Sequence, residues 1–557
     1  MDTAEDRLDL LLVDAEERRP VIEGGLPSEA AQRGPKPKKG IRGDDSPDWR
    51  RTDADPNDLA LQKWAVVAME GKEGDRQIEA IQPLIRLRER EQGAPARVYR
   101  VPPDMDARQA VSWKDEVYWS EDVPEEERPL YLLMLGDLHH TSVELQHALA
   151  NGALVGRLHV ADAAGGTDLE GYEAYAAKVV RYARDAVPVP APDLRFYVAP
   201  DGSSATVTGR TRLVGPSLVA SRQAHEGGKL PAASVDEISA ETVDELLANA
   251  QSRASVLLSV SHGLGAPRRG WRSEEEQWRR QGALVLGHDE ILDAERLRGQ
   301  AFLPGGMWFY LACFGGGTPT TSAYHTWLAQ LSSESAFSGS VAAVLKSLPE
   351  SGQRPFLAAL PQAALSNPEG PLGVLAHMDL AWTYGFSGAK KLTESRKSRV
   401  LSSLDVLVRG SRAGVALEAL VRFYRETNDA LMASYQLEAD ARAQGRPDPT
   451  SHAERAHLWM LRNDLRGYVL LGDPAARLPL QHTTLRAGEP PPAREEVTSA
   501  STTAASIPDG GLEAAVLAMI RGDEAPRAIA ERAGITLATL WDRVDAYRAA
   551  GRARLGG

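Results

Sequence analysis

The sequence predicts an α/β protein whose central sheet is mostly parallel and is sandwiched by helices. Two observations lead to this prediction. Short apolar runs recur along the chain, each ending in glycine or a polar residue, and amphipathic segments with helical spacing separate them. The hydrophobic fraction of 43% and the charged fraction of 25% are ordinary for a globular protein. A chain of 557 residues is long enough for about three or four folding units.

The first predicted sub-domain covers residues 58–190 and carries no chemistry of its own. A tail, residues 1–57, precedes it, and we expect this tail to be disordered or partly helical because 30–45 is rich in Pro, Gly and Lys. The alternation of apolar runs and helical spacing predicts strands at 64–69, 97–101, 130–135 and 154–160, and helices at 76–91, 143–149 and 170–186.

A proline-rich stretch at 188–192 marks the start of a second α/β sub-domain, residues 191–480. Its apolar runs predict strands at 195–199, 256–260, 283–287, 308–313 and 341–345, a strand that opens into an aromatic loop at 372–386, and helices at 242–250, 321–331, 356–366 and through much of 400–470. A linker rich in Pro, Ser and Thr follows at 481–510.

Cys313, the only cysteine of the chain, follows the apolar run 308–312 and precedes three glycines, Gly315–Gly317. The carboxyl end of a buried strand is where α/β proteins hold their ligands, so a thiol there is a candidate nucleophile. The alternative is that the side chain is a small buried apolar group. One cysteine excludes an intrachain disulfide and a cysteine-rich zinc site.

His262 follows the apolar run 256–260 and lies 51 positions before Cys313. Two neighbouring parallel strands joined by a crossover would bring this imidazole beside the thiol. An imidazole there can remove the proton of the thiol and later protonate a leaving amine. The backbone N–H groups of Gly263 and Cys313 would then stabilise the developing oxyanion. The alternative is a histidine with a purely structural role.

These two motifs resemble those of the caspase-like cysteine peptidases. Ser261–Gly263 resembles the histidine motif of that clan, and residues 312–317 resemble its cysteine motif. Leu311 stands where the eukaryotic caspases have Gln, so the match is closer to gingipains and bacterial CHAT-domain proteases. Residues 470–478 resemble the segment that closes many catalytic domains of this type. The resemblance implies a caspase/gingipain-like fold and makes 191–480 the catalytic sub-domain.

The resemblance implies a cysteine endopeptidase that cleaves a protein or peptide substrate through Cys313 and His262 without a cofactor or metal ion. It further implies a role in bacterial defence or programmed cell death, with a gasdermin-like pore former as one kind of substrate. Asp379 and Trp382 would line the substrate pocket, where a carboxylate would select Arg or Lys. The alternative for Asp379 is an ordinary loop carboxylate.

The last segment, 511–557, has the helix lengths and the central glycine of a helix-turn-helix module. We expect it to dock a sensor or adaptor protein. Nucleic-acid binding is the less favoured alternative, because the chain carries a net charge of −13 and Asp542 and Asp545 would repel phosphates. A second functional hypothesis is therefore a DNA-binding regulator or scaffold with an inactive caspase-like domain.

Three features predict a cytoplasmic protein. Residues 2–17 are acidic and amphipathic, unlike a secretory signal. No apolar run reaches the roughly 18 residues that a membrane-spanning helix needs, so we expect no membrane insertion. Finally, the single cysteine gives no sign of a disulfide framework.

Overall fold

The computed structural model describes residues 7–22, 24–27, 29–30, 55–287, 290–334, 338–349, 352–386 and 395–482, together with Arg532. The predicted helix-turn-helix at 511–557 lies outside the described residues apart from Arg532, and so does nearly all of the predicted linker. The chain divides into two compact units, one formed by Met1–Lys114 with Pro129–Ala487, the other by Asp115–Arg128 with Gly488–Gly557.

The described strands, in chain order, are β1 Arg7–Leu8, β2 Leu12–Asp14, β3 Leu26–Pro27, β4 Trp64–Met69, β5 Arg97–Val101, β6 Tyr131–Leu135, β7 Leu154–Leu158, β8 Asp193–Val198, β9 Ser234–Glu237, β10 Val256–Val260, β11 His262–Gly265, β12 Leu284–Gly287, β13 Glu290–Leu292, β14 Met307–Leu311, β15 Gly317–Thr318, β16 Phe356–Leu357, β17 Gly373–His377 and β18 Tyr468–Gly472.

The described α-helices are α1 Leu59–Gln62, α2 Lys72–Ala80, α3 Gln82–Gln92, α4 Ala107–Trp113, α5 Val143–Ala150, α6 Leu169–Arg184, α7 Ser204–Thr208, α8 Gly215–Glu226, α9 Val243–Asn249, α10 Glu274–Arg280, α11 Ala294–Leu297, α12 His325–Ser333, α13 Ser338–Ser347, α14 Ala359–Ser366, α15 Ser398–Val408, α16 Ala413–Ala443 and α17 His452–Arg466. Short 3-10 or π turns occupy Lys114–Tyr118, Glu125–Glu127, Gly209–Val214 and Thr383–Phe386.

A ten-stranded sheet forms the centre of the larger unit, in the order β5-β4-β6-β7-β18-β17-β14-β10-β8-β9. It consists of two parallel blocks that meet at one antiparallel pair, β17 with β18. Every residue of β6, β7, β10, β14, β17 and β18 is buried. Since neighbouring side chains point to opposite faces, both faces are covered, and the prediction of a mostly parallel sheet flanked by helices is confirmed.

The two blocks point in opposite directions, which decides where each presents its loops. The first block contains β4–β7 and the late strand β18, and the second contains β8, β9, β10, β14 and β17. The carboxyl ends of parallel strands lie at one edge of a sheet. The segments that follow β8, β10, β14 and β17 therefore begin at the same edge, and His262 and Cys313 each lie two residues beyond the end of a strand, β10 and β14 respectively.

A buried ionic network joins the end of β18 to the first block. The Asp473 carboxylate accepts hydrogen bonds from Trp64 Nε1 at 2.9 Å and from Arg88 Nε at 2.8 Å. Arg88 also pairs with Glu91 at 2.6 Å, and Glu91 pairs with Arg412 at 3.2 Å. Because all four charged side chains are at most 6% exposed, each charge depends on its partners for stabilisation.

The amino-terminal residues differ from the prediction of a disordered or partly helical tail. Residues 7–8 and 26–27 form an antiparallel pair, β1 with β3. Strand β2 joins a smaller sheet of order β13-β12-β11-β2, where it runs parallel to β11. The partners of β2 lie some 250 positions away in the sequence, so local spacing could not indicate them.

A second difference concerns residues 341–345, which were predicted as a strand and lie inside helix α13. The run is too short for periodicity to separate a strand from a buried helix. Among the described residues, no helix is long and apolar enough to cross a membrane.

In the smaller unit, Arg128 holds the described segment Asp115–Arg128 together. Its guanidinium donates hydrogen bonds to the backbone oxygens of Tyr118 at 2.9 Å and Val123 at 3.2 Å. It also lies over the ring of Trp119, 4.4 Å from the centroid. The Arg128 guanidinium therefore stabilises the fold of this segment by binding its backbone oxygens and an aromatic ring.

Candidate active site

Cys313 lies two residues beyond β14 and is fully buried. Its sulfur contacts the backbone of Ala381, whose N–H donates to Sγ at 3.2 Å and whose carbonyl accepts from the thiol at 3.5 Å. Burial raises the pKa of the thiol well above its ordinary value, against the lowering effect of the Ala381 N–H. Burial in this arrangement therefore favours the protonated thiol over the thiolate.

The turn after Cys313 is strained. Phe314 has a φ of 55°, in the left-handed region that side chains rarely adopt. The N–H of Phe314 donates to the carbonyl of Asp379 at 2.9 Å, and that of Gly316 donates to His377 at 2.8 Å. These bonds to the segment after β17 hold the turn in place. Strained backbone held by its surroundings is common at functional sites.

The histidine motif lies directly beside the cysteine motif. Strands β10 and β14 are parallel neighbours with Val260 opposite Leu311, so the next residues of each strand also lie side by side. A Cβ atom added to Gly263 would be 1.8 Å from the backbone oxygen of Cys313. Only glycine permits this approach, which explains the residue type after His262. The structure thus brings the two predicted motifs together.

The two ring nitrogens of His262 have different surroundings. Nε2 is 2.8 Å from Ser203 Oγ and 3.6 Å from Asp201 Oδ2. Nδ1 is buried and has no hydrogen-bond partner among the described residues. Burial lowers the pKa of the imidazole, while Asp201 and Asp9 raise it. One side of the ring is therefore oriented by polar groups, and the nitrogen on the other side makes no hydrogen bond to a described residue.

Asp201 and Ser203 belong to a polar turn after β8 whose role the sequence did not indicate. Asp201 Oδ1 accepts from the Ser203 N–H at 2.9 Å and from Thr206 Oγ1 at 2.5 Å. These bonds fix the carboxylate beside the imidazole. The available signal was a cluster of polar residues following the predicted strand 195–199, at the edge where the other strand ends were expected.

The predicted oxyanion donors point at the same atom. The N–H of Gly263 donates to the carbonyl oxygen of Leu11 at 2.7 Å, and the N–H of Cys313 donates to that oxygen at 3.2 Å. Two backbone N–H groups beside a thiol, both bonded to one carbonyl oxygen, form the arrangement that an oxyanion hole requires. The carbonyl that occupies it belongs to the amino-terminal segment of the chain.

Asp379 and Trp382 lie in the loop after β17 and are both buried. The Asp379 carboxylate accepts backbone hydrogen bonds from Leu380 at 2.7 Å and Ala323 at 2.8 Å, one at each oxygen. Burial raises its pKa, and the N–H of Leu380 opposes this effect. Trp382 pairs through its backbone with Leu10 in an antiparallel bridge. The two residues lie on either side of Leu380 and Ala381, and the backbone of Ala381 contacts the Cys313 sulfur.

No three His, Cys, Asp or Glu side chains come close enough to hold a metal ion within the residues that the structure describes. The chemistry available at this edge of the sheet is that of a thiol, an imidazole and two backbone donors. Such a group can attack a carbonyl carbon and transfer a proton.

No family model matches the sequence, and no curated protein matches it. Solved structures that are similar include the Arg-specific cysteine proteinase gingipain R, with a TM-score of 0.42 and 11% identity over 75% of this chain and 78% of that chain. The complex of Porphyromonas gingivalis RgpB pro- and mature domains has a TM-score of 0.39 and 12% identity, over 74% and 79% of the chains. The separase–securin complex of Saccharomyces cerevisiae has a TM-score of 0.26 and 10% identity, over 62% and 16%.

Proposed function

We propose that the chain is a cysteine endopeptidase of the caspase/gingipain/CHAT type that cleaves protein or peptide substrates through Cys313 and His262. The observation that carries the proposal is the convergence of the Gly263 and Cys313 N–H groups on one carbonyl oxygen. A peptide carbonyl in that position has its oxygen polarised by two donors and its carbon close to the thiol.

The residues divide the reaction as follows. His262 removes the proton of Cys313, and the sulfur attacks the peptide carbon to form a tetrahedral oxyanion that receives the two N–H groups. The C–N bond then breaks, and His262 gives its proton to the leaving amine. Water, deprotonated by His262, attacks the thioester, and the acid and the free thiol are released.

Asp201 and Ser203 orient the imidazole in this scheme. Their contacts are at Nε2, so Nδ1 is the nitrogen left to exchange protons with the sulfur and the amine. The Asp201 charge favours the imidazolium that forms during the reaction. Asp201 and Ser203 act on the ring and not on the substrate, so they are positioning residues.

Asp379 and Trp382 enter the proposal as part of the segment that binds the peptide. In this segment the carbonyl of Ala381 can accept a hydrogen bond from a peptide N–H, and the backbone of Trp382 can pair with a peptide strand. We do not assign selection of Arg or Lys to Asp379, because the residue is only 7% exposed and each carboxylate oxygen is already held by a backbone N–H. Four expectations from the sequence stay predictions. They are the gasdermin-like substrate, the role in defence, the docking of a sensor by 511–557 and the cytoplasmic location.

The experiment compares the full chain with Cys313→Ala. Both are incubated at high concentration with a peptide library of diverse sequence, and new amino termini are identified by mass spectrometry. We expect cleavage by the unchanged protein and a loss of at least about 10³-fold in the variant. Equal melting temperatures would show that the variant is folded. Identical fragments from both proteins would contradict the proposal.

A further inference from the structure

The segment Leu8–Asp14 lies in the candidate active site with the backbone pairing of a bound peptide. The Leu11 N–H donates to the carbonyl of Ala381 at 3.3 Å, and the Thr383 N–H donates to the carbonyl of Asp9 at 3.1 Å. Between them, Leu10 and Trp382 form an antiparallel bridge. Residues 9–11 therefore add a short strand to the loop after β17, as peptide substrates do when they bind by strand addition.

The segment continues across the candidate nucleophile without a break. After Leu11, strand β2 runs parallel to β11, with Leu12 opposite Gly263 and Asp14 opposite Gly265. The Leu11 carbonyl lies between these two paired stretches, in the oxyanion position. The peptide bond between Leu11 and Leu12 thus occupies the point where the chemistry of Cys313 and His262 would act.

The Cys313 thiol and the Leu11 amide bind the same group. The thiol donates to the Ala381 carbonyl, which also accepts the Leu11 N–H, and the Cys313 N–H donates to the Leu11 carbonyl. A second peptide cannot enter while these bonds exist, because the segment uses both oxyanion donors and the pairing edge. Cys313 is fully buried, and the segment Leu8–Asp14 is part of what covers it.

The side chains of the segment show what each position accepts. Leu11 is fully buried in the hydrophobic core, as are Leu8 and Leu12. Asp9 is 5% exposed, and its two oxygens accept from Ser204 Oγ at 2.7 Å and Thr208 Oγ1 at 3.0 Å. A buried carboxylate with a hydroxyl on each oxygen indicates a site made for an acid.

We propose that residues 8–14 are a built-in substrate, and that the site selects peptides with Leu before the cleaved bond and Asp two residues further upstream. This inference rests on the proposed function. Cleavage in cis breaks the Leu11–Leu12 amide with one water, leaving a carboxylate on Leu11 and an amine on Leu12. The released strand then frees the site for other substrates with the same pattern.

The first test measures hydrolysis of peptide aminocoumarins in trans. The probe is acetyl-Leu-Asp-Leu-Leu-aminocoumarin, and the matched probes carry Asn for Asp or Arg for the last Leu. We expect the Asn probe to react about tenfold more slowly, because the charged acceptor is lost. The Arg probe should react more than about 100-fold more slowly, because a cation would be buried in an apolar site.

The second test weakens the segment and keeps both Cys313 and His262 in place, although Asp9→Ala also removes one of the two carboxylates that raise the pKa of His262. Asp9→Ala removes the bonds to Ser204 and Thr208, so we expect about tenfold faster hydrolysis of the probe than with the unchanged chain. Glu16→Gln is the control, because Glu16 is exposed and lies beyond the paired residues. Melting temperatures of both variants check that they are folded.

The third measurement does not need catalysis. Iodoacetamide labels the only cysteine of the chain, so its rate reports the exposure of Cys313. We expect labelling to be faster in Asp9→Ala than in the unchanged chain and unaltered in Glu16→Gln.

The outcomes separate the two proposals. Preference for the Leu probe together with faster labelling of Asp9→Ala supports the built-in substrate. Hydrolysis that depends on Cys313 but favours the Arg probe, or equal labelling rates in all three proteins, overturns it and leaves the endopeptidase proposal in place. No hydrolysis dependent on Cys313 in any of the proteins overturns the proposed function and the substrate assignment together.

Discussion

Two buried polar clusters of this molecule differ in how completely their hydrogen bonds are satisfied. Around Asp473, both carboxylate oxygens accept hydrogen bonds, and Arg88 pairs with a carboxylate on each side. Around His262, the ring Nδ1 and Asp201 Oδ2 are buried without a hydrogen-bond partner among the described residues. Both clusters lie at strand ends of the same sheet, so burial alone does not distinguish them.

The difference separates a stabilising role from a reactive one. In a satisfied buried network each partner stabilises the charges beside it, and removal of one partner leaves an uncompensated buried charge. A buried nitrogen without a hydrogen-bond partner lowers the stability of the folded state. Such groups are found where the side chain must accept or donate a proton. The comparison therefore predicts that substitutions at Asp473 change stability and that substitutions at His262 change turnover.

The largest effect should come from His262→Gln. Loss of the general base and acid should lower the Cys313-dependent rate by about 10²–10⁴-fold. The free energy of unfolding should change little, since the Gln amide can keep a hydrogen bond to Ser203 in place of Nε2 and Nδ1 makes no hydrogen bond to a described residue. Steady-state kinetics and urea unfolding of the same preparation measure both quantities. A variant that loses stability and keeps its rate would reverse the comparison.

Asp473→Ala should have the opposite signature. It leaves Arg88 and Trp64 without their buried acceptor, and we expect the free energy of unfolding to fall by about 3–5 kcal/mol. The midpoint of urea unfolding measures the loss. Asp75→Ala is the matched control, because the Asp75 carboxylate is 62% exposed in its pair with Arg100 and should contribute less than about 1 kcal/mol. Equal losses in both variants would contradict the assignment.

His159 is a third buried polar group, and its contribution to stability should depend on pH. Burial lowers its pKa to about 4, although the Asp137 carboxylate raises it. In the unfolded chain the group takes up a proton at about pH 6.5, so the unfolded state binds more protons below that pH. Stability should therefore fall as the pH is lowered from 6.5 to 4, by about 3 kcal/mol for this group.

The measurement for His159 is urea unfolding at pH 7 and pH 4 for the unchanged chain and for His159→Asn. The variant should lose about 3 kcal/mol less between the two pH values, because Asn does not titrate. Parallel losses in both proteins would show that the histidine is not buried in its neutral form.

The sequence alone predicted that Cys313 and His262 follow the ends of two neighbouring strands, because local signals mark both residues. Each follows a continuous apolar run and is next to or near glycine, and the parallel pairing of β10 with β14 aligns the two strand ends. The fold class followed from the same alternation of apolar runs and helical spacing. Such signals need only residues that are close in the chain.

The parts that the sequence did not predict depend on contacts between distant residues. Leu8–Asp14 is a leucine-rich stretch whose strand character comes from pairing with β11 and with the loop after β17. The antiparallel joint between the two blocks depends on the late strand β18. Asp201 and Ser203 come shortly after the predicted strand 195–199, but their contact with His262 spans about 60 positions. No local period encodes such contacts.

Asp201→Asn should have the smallest effect and tests whether the missed residues matter to the reaction. The carboxylate raises the pKa of His262, against the larger lowering effect of burial, so its neutralisation should lower that pKa further. The acid limb of kcat/KM against pH should then move to lower pH, and the rate near neutral pH should fall about tenfold, less than the 10²–10⁴-fold expected when the proton-transfer group itself is lost. Asp236→Asn, an exposed carboxylate on β9, is the control and should leave the profile unchanged. If both variants keep the original profile, Asp201 only stabilises its own turn through Ser203 and Thr206. The Asp201 carboxylate would then have no influence on the reactivity of His262.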